Sequence, residues 1–148
     1  MCGATAPPCG PWTNSVDRLE PVWIEERDAL ALHGVMCAQY GGQAGLRDRE
    51  ALRMVLAHPR EHYAYVGAAD IAELAAAYCA GIVRNRPFAA GNQRTGFLTG
   101  ALFLEMNGLR LIASEPEAAQ AVHALASGQL NEIGFANFLR ANIKPDLG

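Results

Sequence analysis

No stretch of this chain approaches the roughly 18 consecutive apolar residues that a membrane span requires, so no bilayer-crossing helix is expected. Residues 1–14 lack a basic segment followed by an apolar one, and nothing there reads as a signal peptide. Positive charge is not in excess. Twelve Lys and Arg against 15 Asp and Glu leave a net charge of −3, and the arginines are spread along the chain. That balance argues against a nucleic-acid partner. The four cysteines, Cys2, Cys9, Cys37 and Cys79, include no Cys-x-x-Cys pair, which removes the main support for a zinc site. There is no internal repeat and no coiled-coil heptad. The expectation is a cytoplasmic protein without a membrane or nucleic-acid partner.

What the chain does contain is apolar residues in helical spacing. Its 148 residues are 51% hydrophobic, enough for one domain with a substantial core. Residues 1–20 carry Gly3, Pro7, Pro8, Gly10 and Pro11 and are expected to form a flexible tail ahead of a domain at 21–148. Apolar periodicity predicts helices over Glu25–Tyr40, Arg49–Ala57, Ile71–Asn85, Gln93–Met106, from Ser114 to Ser127, and Glu132–Asn142. Asp48 and Asp70 are suited to cap the second and third, and Ser114 with Glu117 spells a capping box for the fifth. Pro59 is expected to stop the second helix, leaving His58–Ala68 as a loop that holds Tyr63 and Tyr65. Pro21–Ile24 and Leu109–Ala113 read as short extended pieces. Cys37 and Cys79 fall in apolar helical patterns, as small core residues do. Cys2 and Cys9 lie in the tail, where free thiols are the simpler expectation over a disulfide.

Between the two most apolar helical runs stands Arg86-Pro87-Phe88-Ala89-Ala90-Gly91-Asn92-Gln93-Arg94-Thr95. A Gly-Asn turn that opens a helix points unpaired backbone N–H groups outward, and such groups hold anions. Arg94, just inside that helix, can add a bidentate contact to a phosphate. Gly91 and Asn92 also have a plain structural role as loop glycine and helix N-cap, and Phe88 as a loop anchor. Gln93 can donate a hydrogen bond but no charge. Thr95 fits a cap or a back-bond within the helix.

This stretch resembles the signature of the Fic/Doc family, His-Pro-Phe-x-(Asp/Glu)-Gly-Asn-x-Arg-Thr. Pro87, Phe88, Gly91, Asn92, Arg94 and Thr95 match it. Arg86 stands at the catalytic histidine, Ala90 at the metal-binding acid, and Gln93 where Doc-type members usually carry lysine. Gly45-Leu46-Arg47-Asp48 with His58-Pro59, and Phe103-Leu104-Glu105-Met106-Asn107-Gly108, are similar to Doc-type segments on either side, so the resemblance spans the chain from about Trp23 onward. It implies a mainly α fold: a Fic-like bundle of about six helices with a short extended flap.

By resemblance, the Doc-type branch comprises toxins that transfer a phosphoryl or nucleotidyl group from an ATP-like nucleotide to a protein hydroxyl. Elongation factor Tu is the implied target and a separate antitoxin the implied partner. Arginine is permanently protonated and cannot serve as the base. Loss of a general base typically costs about 10²–10⁴-fold. Without a carboxylate at Ala90, magnesium is not expected to be held. Arg86 has two open roles, as a phosphate-binding charge or as a solvated side chain. The anion site is expected at Gly91, Asn92, Gln93 and Arg94. Tyr63 and Tyr65 fall, by resemblance, in a flap that contacts the target, or else simply pack their loop. Two alternatives stand beside impaired transfer: a non-catalytic binding module, or a pocket repurposed for metal-free chemistry. His58 and His62 have a metal-ligand spacing, but Pro59 between them argues against it. His33 and His123 are expected to be structural. Ser15–Pro21 fits a Fic self-inhibitory pattern only at Ser15 and Glu20 and is taken as a chance match.

Overall fold

The computed structural model describes residues 20–146. Cys2, Cys9 and, apart from its last residue, the expected 1–20 tail lie outside them. The order is α1 Glu26–Tyr40, α2 Arg49–Val66, α3 Ile71–Asn85, α4 Asn92–Met106, β1 Leu109–Leu111, α5 Glu115–Ser127, α6 Glu132–Ala141 and β2 Ile143–Pro145. Among the described residues there are thus six helices and one two-stranded sheet, the mainly α bundle that the resemblance implies.

The bundle is organised around α3. Ala72, Leu74, Ala75, Ala76, Ala77, Tyr78, Cys79, Ala80, Ile82 and Val83 are all buried, so this helix is covered on nearly every side. Its neighbours are α2, α4, α5 and α6. The alanines let those neighbours approach closely, and two glycines of α4 complete the fit. A Cβ at Gly96 would lie 3.0 Å from Val83 and 3.1 Å from the Cys79 carbonyl, and one at Gly100 would lie 3.2 Å from the Ala75 carbonyl. As α4 advances from Gly96 to Gly100, its contacts move back along α3. The two helices are therefore antiparallel, and the loop that joins them sits at one end of the pair.

Aromatic packing ties the entry segment to this pair. Trp23 stacks on Phe103 at 5.9 Å and meets Tyr63 edge-on at 5.6 Å, while Tyr78 lies 5.0 Å from Phe103. The Tyr78 hydroxyl accepts a hydrogen bond from the Ile24 N–H at 3.1 Å. Burial pushes this phenol up to about 12, so it remains neutral.

The second helix differs from the expectation. Pro59 does not stop α2, which continues to Val66. An interior proline costs about 3 kcal/mol in an isolated helix. Here Leu52, Val55, Leu56 and Pro59 are all buried, and Tyr63 packs on Trp23, so one apolar stripe runs straight through the proline. Tertiary burial overrides the local penalty. Tyr63 and Tyr65 accordingly lie on a helix rather than in a loop.

At the far end, β2 pairs antiparallel with β1, with Leu109 opposite Pro145 and Leu111 opposite Ile143. The first of these strands coincides with the expected Leu109–Ala113 piece. The second is three residues long and contains a proline, so it has no strand pattern to read. Among the described residues no helix is long and apolar enough to cross a membrane.

Asp70 joins the start of α3 to α6. Its carboxylate accepts the Glu73 N–H at 2.8 Å and caps the helix, and it also receives Arg140 Nε at 2.9 Å and Nη2 at 3.2 Å. Partial burial raises its pKa, but the bonds from Arg140 and the Glu73 N–H outweigh that and hold it below its ordinary 3.8. A depressed carboxylate stabilises the fold above its unfolded value and loses that contribution as pH falls through the folded one. Both partners are about half exposed, so the pair contributes at most about 1 kcal/mol. Arg140→Gln should therefore lower the melting temperature at neutral pH. The gap to the native chain should close as pH falls below about 4, measured by circular dichroism at several pH values.

Candidate functional site

The loop between α3 and α4 is built from backbone constraints. Arg86 closes α3 in the left-handed conformation, φ 50 and ψ 57. For a residue with a Cβ this costs about 1–2 kcal/mol. Arg47 holds it there, donating from Nε to the Arg86 carbonyl at 2.7 Å and from Nη2 to the Asn85 carbonyl at 2.8 Å. A cation at the C-terminus of α3 also complements the helix dipole. The Pro87 carbonyl accepts from the Arg47 and Asp48 N–H groups at 2.7 and 3.0 Å, and the Ala89 N–H donates to the Gly45 carbonyl at 3.0 Å. The extended stretch around Leu46 thus lies antiparallel against Phe88.

Phe88 is buried, and the imidazole of His33 stacks on it at 4.1 Å. His33 Nε2 donates to the Ala90 carbonyl at 2.8 Å. Asn92 does not cap the helix as the sequence suggests. Its Oδ1 accepts the Phe88 N–H at 3.0 Å, and its Nδ2 donates to the Phe88 carbonyl at 3.0 Å. The cap position belongs to Gly91, at φ 74 and ψ 25. The positive φ favours glycine here, and a Cβ would come 2.1 Å from Met36 Cε, so the methionine side chain would have to move aside.

The first intrahelical bond of α4 runs from Thr95 N–H to the Gly91 carbonyl at 2.9 Å. The N–H groups of Asn92, Gln93 and Arg94 precede it and have no acceptor within the helix. The same three residues line a cleft of about 670 Å³ together with Arg84, Arg86 and, from α5, Ala126. Among the described residues no carboxylate and no imidazole lines it. Arg86 and Arg94 are exposed, and the Arg94 guanidinium lies 3.9 Å from the centre of the Tyr40 ring. Arg84 stands 3.8 Å from Glu132. Cationic groups and helix-terminal N–H groups converging on one cleft form an arrangement suited to phosphate oxygens.

This fold and loop define a Fic-type protein. The chain belongs to the Fic/DOC family, whose family model matches residues 23–104. Within the family it falls in the Doc-type branch. Over 117 residues it is 29% identical to the protein named Protein kinase doc of Escherichia phage P1, a match that covers 79% of this chain and 92% of that protein.

The structure brings Arg86, Gly91, Asn92, Gln93 and Arg94 to one cleft and leaves Tyr63 and Tyr65 out of it. Tyr63 is half buried against Trp23, and Tyr65 is 92% exposed on the last turn of α2. Neither belongs to a flap loop, because α2 passes through both. The extended segment beside the signature is the one around Leu46.

His58 and His62 do share a continuous helix, with ring centres 6.2 Å apart. His62 Nε2, however, is 2.6 Å from Glu73, and no group of three or more potential ligands is found among the described residues. Cys79 is buried, and burial pushes its thiol up and keeps it protonated. Cys37 is only half buried, with Sγ 3.6 Å from His33 Nε2. Thr95 neither caps nor back-bonds through its hydroxyl, which is buried without a partner. The back-bond is made by Thr99 to the Thr95 carbonyl at 2.8 Å.

His33, Met36, Tyr40, Arg47 and Arg84 contribute to the site without having been singled out for it. Those on α1 share a helical stripe, which reads equally well as ordinary core. Asn92→Ala should orphan both backbone groups of Phe88 and destabilise the chain by about 2–3 kcal/mol. Urea denaturation measures this. An unchanged midpoint would show that the loop holds its shape without the Asn92 amide.

Proposed function

We propose that this protein is a Doc-type member whose cradle still takes a phosphate-bearing ligand, an ATP-like nucleotide foremost, while its transfer chemistry is impaired. One observation carries the reading. The cleft at the start of α4 is walled by Arg84, Arg86 and Arg94, and among the described residues neither an imidazole nor a carboxylate lines it. The named relative is a protein kinase. Phosphoryl transfer rests on positioning the phosphates, neutralising their charge and orienting the attacking hydroxyl. The residues here supply the first two.

Arg86 has no acceptor atom and cannot take the proton of an incoming hydroxyl. In place of a base it adds positive charge at the end of α3. Magnesium does not fit the lining residues, because a hard divalent ion takes carboxylate oxygens and Ala90 presents a methyl group. The charge that a metal would neutralise falls instead to arginine, which fixes no octahedral geometry. The implied partners are an antitoxin and a protein target such as elongation factor Tu. A second reading, a binding module without catalysis, draws on the simultaneous loss of both chemical side chains at Arg86 and Ala90.

A transfer assay with labelled ATP and elongation factor Tu tests the reading. The double substitution Arg86→His with Ala90→Asp should exceed the native chain by at least about 10²-fold. A native chain that labels its target as fast as the double variant would contradict the proposal. If neither transfers label but the native chain binds ATP, the binding-module reading is favoured.

A further inference from the structure

One face of α1 is devoted to the cradle. His33, Met36, Cys37 and Tyr40 follow the i, i+3, i+4, i+7 spacing that places side chains on a single helical stripe. His33 bonds the Ala90 carbonyl and stacks on Phe88. Met36 lies directly beneath Gly91. Cys37 abuts His33. Tyr40 ends the stripe with its ring under Arg94. His33 and Met36 meet the loop's backbone, Cys37 touches it only through His33, and Tyr40 meets a side chain.

We infer that Tyr40 is the positioning residue of this cleft, holding Arg94 in place for a phosphoryl group without neutralising it. The inference rests on the cleft being an anion site, as proposed above. Other arginines show the alternative. Arg49 and Arg53 pair with Glu26, Arg60 with Glu25, Arg84 with Glu132 and Arg140 with Asp70. A carboxylate orders an arginine but occupies its donors and competes with an incoming anion. An aromatic face orders it through the ring quadrupole and leaves the N–H edge free. Among the described residues Arg94 has no carboxylate partner, and its guanidinium lies 3.9 Å from the Tyr40 ring centre.

The contact uses the ring and not the hydroxyl. Tyr40 is more than half exposed, so its replacement opens no core cavity. The ligand favoured is a terminal phosphate, whose oxygens match the fork of an arginine held at fixed orientation.

The test is calorimetric titration of the full chain with inorganic phosphate and with ATP, both without magnesium. Tyr40→Phe should stay within about twofold of the native affinity, whereas Tyr40→Leu should lose about three- to fivefold. In an Arg94→Gln background, Tyr40→Leu should have no further effect. Proton NMR gives a readout independent of ligand. The Arg94 δ-methylene protons should be shifted upfield by the ring in the native chain and in Tyr40→Phe, and should return to ordinary positions in Tyr40→Leu. Native-like affinity in Tyr40→Leu, or an equal loss with and without Arg94, would overturn the role of Tyr40 while leaving the cleft reading intact. A native chain that binds neither phosphate nor ATP would overturn the cleft reading itself.

Discussion

Two hydrogen bonds from one side chain hold the site together. The Asn92 carboxamide clasps both the N–H and the carbonyl of Phe88, closing the connection between the central helices into a fixed ring. With Phe88 clamped, its ring is driven into the core beneath His33, and Gly91 is left to turn the chain into α4 over Met36. The start of α4, and with it the direction of three unpaired N–H groups, follows from that geometry. The same clasp sets where Arg94 emerges, and Arg47 sets the place of Arg86. Of the two left-handed residues of the loop, Gly91 lies within the clasped segment, and Arg86 is held from outside it by Arg47.

The surroundings of the loop are more rigid than its exposed position suggests. Arg47 ties the end of α3 from one side, and the backbone around Leu46 pairs with Phe88 along the other. Beneath it, α3 and α4 are brought close by alanines and by Gly96 and Gly100. If the loop holds an anion as proposed, a cradle on such a support is shaped before the ligand arrives, which lowers the ordering cost of binding. What has changed relative to the family signature is the chemistry on the frame. A base and a metal ligand have given way to a cation and a methyl group, while the frame is kept. On the proposed reading, the arginines of the cleft hold phosphate while the groups that would move it are missing from the signature positions.

Much of this was legible in the chain. The order of helices, the caps at Asp48, Asp70 and Ser114, and the turn at Gly91 follow from local periodicity and local side-chain chemistry. The family signature located the loop. What could not be read depends on tertiary contact. Pro59 is tolerated because the stripe from Leu52 to Pro59 is buried as a unit, and no local rule contains that burial. The pairing of Ile143–Pro145 with Leu109–Leu111 is a long-range event between segments too short to carry a pattern. Asn92 looked like a cap because its type suits one, yet its amide is used one turn back. The service of His33, Met36 and Tyr40 to the loop was hidden because a helix facing a site and a helix facing a core show the same spacing.

On the proposed reading, arginines and helix-terminal N–H groups, not a metal, hold the phosphate. Titration of the native chain with ATP in the presence of excess magnesium, and again in the presence of a chelator, tests it most directly. The account predicts binding in the chelator, with an affinity equal to or greater than that with magnesium, because the ion covers phosphate charge that the arginines would otherwise meet. Binding that appears only when magnesium is present would contradict it.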